Sequence, residues 1–261
     1  MHAIGRVSRL ALVVSGLALG PGGAALAQHG TASPFHEGAG PDVVPAAPIQ
    51  RDMRPNVLIW MLDDVGFGQL SCFGGLVETP NIDRVARAGL RYTNYHTVPI
   101  CSASRAAMLT GRNPHSVHIG GHATAAREGF LAHDAKIPPE AGTIAANLHG
   151  AGYATYALGK WDHLPNEEAS PAGPFARWAQ GQGFDRFYGF MAADADQWNP
   201  VLFRGTTPVM KPTDPAYHVS ADLADQAIAM IDERSAPGDP ARVRPFFMYW
   251  ATGAAHAPHH A

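Results

Sequence analysis

The chain has 261 residues, 46% of them hydrophobic, and a formal net charge of −3 with no long run of either sign. That length can bury one substantial core, in one or two domains. The weak, unpatterned charge argues against nucleic acid or an anionic membrane as the main partner, which leaves a small molecule as the default.

Residues 1–27 have the make-up of a secretory signal peptide. Arg6 and Arg9 precede the apolar run from Leu10 to Leu19, and Ala25-Leu26-Ala27 offers small residues for cleavage before Gln28. The run is too short to span a bilayer comfortably, so cleavage is expected, with the mature protein secreted or periplasmic and without a membrane span. Residues 28–52 carry Gly, Pro, Ala and His without periodicity and read as a linker, so the folded part is expected over 53–261.

Asn56 to Leu62 is a continuous apolar run, as expected of a strand buried on both faces of a parallel sheet. Asp63-Asp64 follows at its carboxyl end, where open α/β sheets build their sites. Two such carboxylates suit a hard divalent cation such as calcium, and a solvated Asp-Asp-Val-Gly turn suits the same residues. Thr79 to Gly89 has a Thr cap, an early Pro and a Gly stop, predicting a crossover helix with Ile82, Val85 and Ala86 on its apolar face. Leu90 to Thr97 is then predicted to return to the sheet as a strand.

Ser102 to Thr110 reads as a helix closed by Gly111, with Cys101 at its N-terminus. Unpaired amides and the positive end of the dipole gather there, and Arg105 one turn along adds a planar cation. A nucleophile over an anion pocket is one reading of Cys101. A buried, inert cysteine is the other. If Cys101 is the nucleophile it cannot pair with Cys72, the only other cysteine, so no disulfide is expected and Cys72 is assigned to buried packing.

Ile144 to Leu148 is predicted to be a helix and Tyr153 to Leu158 a strand, delivering Gly159-Lys160-Trp161-Asp162-His163 to a strand end. Residues 173–200, rich in aromatics and turn formers, read as a loop excursion. Ser220 can cap a helix to about Arg234 that buries Leu223, Ala227, Ile228 and Ile231. Pro245 to Trp250 is a last strand, ahead of His256-Ala257-Pro258. The expected architecture is α/β, a largely parallel sheet sandwiched by helices.

Cys101-Ser102-Ala103-Ser104-Arg105, followed by Leu109-Thr110-Gly111, resembles the signature of the type I sulfatases in the alkaline phosphatase superfamily. Ala103 stands where that signature more commonly has Pro. Asn56 to Gly68, Gly159-Lys160-Trp161 and the strand ending at His256 and Pro258 resemble further motifs of the family, in the family's order. Residues 173–200 resemble the large bacterial arylsulfatases.

The resemblance implies sulfate ester hydrolysis through formylglycine, made from Cys101 by a formylglycine-generating enzyme, with calcium held by Asp63, Asp64 and the Cys101-derived group. It assigns Arg105 and Lys160 to the sulfate and His256 to the departing alcohol. Asp162 stands where the family has His; His163, one residue later, is expected to fill that role. The family continues beyond its His-Pro strand, so this chain is expected to be an incomplete catalytic domain, poorly stable and inactive alone, with an open sheet edge and an uncovered apolar face where it stops. A phosphonate monoester or phosphodiester hydrolase of the same superfamily, and an inactive secreted anion-binding module, are the alternatives.

Overall fold

The computed structural model describes residues 10–12, 54–233 and 244–259. Most of the predicted leader and all of the predicted linker lie outside the described residues. Among the described residues seven strands form one sheet: β1 (Leu10–Leu12), β2 (Asn56–Met61), β3 (Ala154–Lys160), β4 (Arg186–Phe190), β5 (Leu202–Arg204), β6 (Thr207–Val209) and β7 (Phe246–Ala251). Their order is β1-β2-β7-β3-β4-β5-β6, parallel from β1 through β4 and antiparallel across β5 and β6. The α-helices among the described residues are α1 (Pro80–Ala88), α2 (Cys101–Thr110), α3 (Ile144–Gly150) and α4 (Val219–Glu233).

Helices pack on both faces of the sheet, as the sandwich predicts. One face carries Ile59, Met61, Ala157, Phe247 and Tyr249, packed with Leu109 of α2, Ala145 of α3 and the aromatic group Trp161, Trp178, Phe184 and Phe187. The other carries Tyr156, Leu158 and Met248 against Leu223, Ala227 and Met230 of α4. Each large side chain buried in this way contributes about 1.5–3 kcal/mol. Strand β7 sits between β2 and β3, so the edge expected at the last predicted strand is not there; among the described residues the sheet ends at β6 and at β1, and β1 lies within the predicted leader, whose removal would leave β2 at that edge.

Several predicted elements change. Residues 90–97 form no strand: Leu90 and Tyr92 are exposed, and the segment carries only an isolated bridge, at His96. Helix α1 buries none of its residues, and Thr79 is drawn into bonds with Ser71 and Asp83 instead of capping it. Beta-strand β4 lies inside the predicted loop excursion, with Gly189 facing Gly159 of β3, and the β5–β6 hairpin follows it.

Helix α4 starts at Val219 with His218 Nδ1 accepting from the Ser220 amide, so Ser220 is not its cap. Its buried face runs through Val219, Leu223, Ala227 and Met230, leaving Ile228 exposed and Ile231 partly buried. Cys72 is half-buried, and both cysteines are free.

Candidate active site

Four backbone segments converge at the carboxyl ends of β2, β7 and β3. Past β2, Asp63 donates its amide to Ala254 O at 2.8 Å and accepts from Ala255 N at 2.8 Å, which fastens the turn after β2 to the turn after β7. Past β3, Trp161 N and Asp162 N pair with Phe190 O and Met191 O at 3.0 and 3.3 Å, continuing the ladder with β4. Helix α2 brings Cys101 in as its first residue, and Gly111 closes its other end in the left-handed conformation that favours glycine.

The side chains form one charged cluster. Lys160 Nζ lies 2.6 Å from Asp63 Oδ2 and 3.4 Å from Asp162 Oδ2, and Arg105 Nη2 is 3.5 Å from Asp63 Oδ1. Arg105 Nη1 also donates to Lys160 O at 3.2 Å and to the Tyr249 hydroxyl at 3.0 Å. All five side chains are buried.

Burial works against the charge on Arg105, but Tyr249, Asp63 and Asp162 outweigh it and hold the guanidinium above its ordinary value. Lys160 follows the same pattern: burial opposes its charge, Asp162 and Asp63 outweigh burial and the repulsion of Arg105, and its pKa is raised. Both cations therefore stay protonated.

Cys101 is half-buried beside this cluster. Burial pushes its thiol up, and the adjoining Asp162 carboxylate pushes it further, against the opposing effect of Lys160. As a cysteine it is a poor thiolate nucleophile.

Of the predicted site residues, the structure brings together Cys101, Arg105, Lys160 and Asp63. Asp64 is exposed in a left-handed conformation, with Oδ2 3.9 Å from His256 Nε2. His256 is half-buried, and its Nδ1 is 2.6 Å from Ala257 O.

His163 does not take the place expected of it. It is fully buried, its Nδ1 bonds the Trp161 carbonyl, and its ring lies 3.9 Å from the Trp161 ring. Burial lowers its pKa to about 3, so it stays neutral. Asp162, in a left-handed turn, occupies the position beside Cys101.

Sequence reasoning missed two neighbours of the site. Tyr249, hidden in an apolar strand, orients Arg105. His122 Nδ1 lies 4.0 Å from Cys101 Sγ, held near α2 because Ala123 N donates to Ser102 Oγ at 3.1 Å. A cavity of about 480 Å³ opens past β4, lined in part by Phe190, Met191 and Phe203.

This arrangement gathers two buried cations and Asp63 beside Cys101 at the carboxyl end of a largely parallel sheet. The Sulfatase family model matches residues 55–261, and the chain belongs to that family. It is 36% identical to mouse (Mus musculus) steryl-sulfatase over 192 residues, covering 72% of this chain and 30% of the relative. Against human (Homo sapiens) arylsulfatase A it is 34% identical over 226 residues, covering 78% and 42%. A solved structure in complex with its substrate D-glucosamine-2-N,6-O-disulfate superposes with a TM-score of 0.55 at 26% identity, covering 78% of this chain and 35% of that one. The chain thus spans less than half the length of each of these three proteins.

Proposed function

We propose that the complete protein hydrolyses sulfate monoesters of aryl or similar alcohols, after export to the periplasm or exterior. The observation that carries this reading is the convergence of Arg105, Lys160 and Asp63 beside Cys101. Oxidised to formylglycine by a formylglycine-generating enzyme and hydrated, the Cys101 position would supply an oxygen nucleophile for sulfur.

Asp63 and Asp64 offer the hard carboxylate oxygens that suit calcium, and they would hold it together with the Cys101-derived oxygen. These are part of the roughly six to eight oxygens such an ion takes. Among the described residues, no group of three or more His, Cys, Asp or Glu side chains is gathered as a metal site. Calcium bound there would offset charge on the ester oxygens.

The chain's own side chains account for binding and proton handling. Arg105, fixed by Tyr249 and Asp63, would set its positive charge against the sulfate oxygens, and Lys160 adds a point charge. His256, with Nδ1 donating to Ala257 O, keeps Nε2 to pass a proton to the departing alkoxide. His163 is buried and neutral, so it supports Trp161 and transfers no proton.

The test begins with mass spectrometry on the tryptic peptide Tyr92 to Arg105 from protein co-expressed with a formylglycine-generating enzyme. A carbonyl-reactive aldehyde in place of the thiol is expected. Turnover of an aryl sulfate is then compared with that of a matched phosphodiester. An intact thiol together with no sulfate release would refute the reading, and faster phosphodiester cleavage would reassign the substrate.

A further inference from the structure

The two carboxylates in the cluster are not equivalent. Asp63 is held by two cations, Lys160 at 2.6 Å and Arg105 at 3.5 Å. Asp162 is 2% exposed, and neither of its oxygens accepts a conventional hydrogen bond. Its neighbours are Lys160 Nζ at 3.4 Å and the Cys101 thiol. A buried carboxylate so poorly satisfied costs stability, and here it adds negative charge to a pocket whose other features attract anions.

Arg105 and Lys160 would otherwise exceed Asp63 by one positive charge; Asp162 brings the four side chains to formal balance. Coulomb energy scales with the product of the charges, so this carboxylate repels a dianion twice as strongly as a monoanion at the same place. Resting on the proposed function above, we propose that Asp162 is a specificity-determining residue that sets the pocket against doubly charged ligands. Singly charged esters such as sulfate monoesters are then accepted over dianions such as phosphate monoesters. The same repulsion favours release after hydrolysis. A sulfate monoester and water yield the alcohol, a sulfate dianion and a proton, so the product carries one more negative charge than the ester.

Inorganic sulfate and methyl sulfate test this, since their charges of two and one are fixed across neutral pH. Their binding would be measured by calorimetry on the full chain and on Asp162→Asn and Asp162→Ser, with circular dichroism confirming that each variant folds. The gain for sulfate is expected to be about the square of the gain for methyl sulfate, so about fivefold for the monoanion means about twenty-five-fold for the dianion. Equal gains for both anions, or no gain for either, would overturn the role of Asp162 while leaving the site in place. If neither the parent chain nor either variant binds either anion, the site reading fails and this inference fails with it.

Discussion

His163 couples the fold to pH in a way that can be worked out from its surroundings. In the folded chain burial holds its pKa at about 3, against 6.5 for an ordinary histidine. Below pH 6.5 the unfolded chain takes up a proton that the folded chain refuses, so stability falls as pH drops from about 6.5 toward 3. Above 6.5 both states are neutral and the effect vanishes. Each pH unit in the window is worth up to about 1.4 kcal/mol, so the loss is about 2 kcal/mol at pH 5 and about 5 kcal/mol across the whole window.

The perturbation is His163→Gln, whose amide can still donate to the Trp161 carbonyl but takes no proton. Urea unfolding of both proteins at pH 7.5, 6, 5 and 4.5 is the assay. The variant is expected to lose stability at neutral pH, through the lost contact with Trp161, yet to show the shallower acid dependence. The slope difference isolates the histidine because every other titrating group is common to both chains. Parallel profiles would refute the argument.

Other perturbations follow from the same contacts. Gly159→Ala puts a Cβ 1.8 Å from Ala251 O at a φ of +87°, so the β3–β7 pairing must break; loss of soluble folded protein in an expression assay is expected. Tyr249→Phe removes the hydroxyl that accepts from Arg105 and should cost about 1–2 kcal/mol in thermal unfolding. Arg105→Lys loses the planar fork and strains a buried charge network; about 3 kcal/mol or more of stability and at least roughly tenfold of sulfate affinity should go with it. Cys101→Ala should give no aldehyde in the Tyr92 to Arg105 region by mass spectrometry and no sulfate release.

The elements nearest the chemistry were the most legible. Continuous apolar runs mark β2 and β7, and Gly111 marks the end of α2, because buried parallel strands and left-handed helix stops leave local signs. Beta-strand β4 left none: Arg186–Phe190 is short, and its aromatics read as loop packing until its backbone meets β3. Helix α4 starts at Val219 because His218, not Ser220, caps it, a choice made by side-chain geometry that periodicity does not report. At the site, a family pattern with Asp162 out of place pointed to His163. Left-handed backbone at Asp162 instead directs the carboxylate to Cys101 and sends the imidazole inward, which is a property of the turn and not of residue spacing.

The insertion of β7 between β2 and β3 bears on how the chain is made. Asn56 Oδ1 caps the amide of Phe246, a partner 190 residues away. At roughly 5–20 residues per second of synthesis, β2 waits on the order of ten to forty seconds for the strand that completes its pairing. During that interval its apolar run has no permanent neighbour on that side, and closing so long a loop is slow in its own right. The sheet cannot be assembled in the order it is written, so early β2 is the segment on which a holding chaperone or an aggregate would first compete with the native fold.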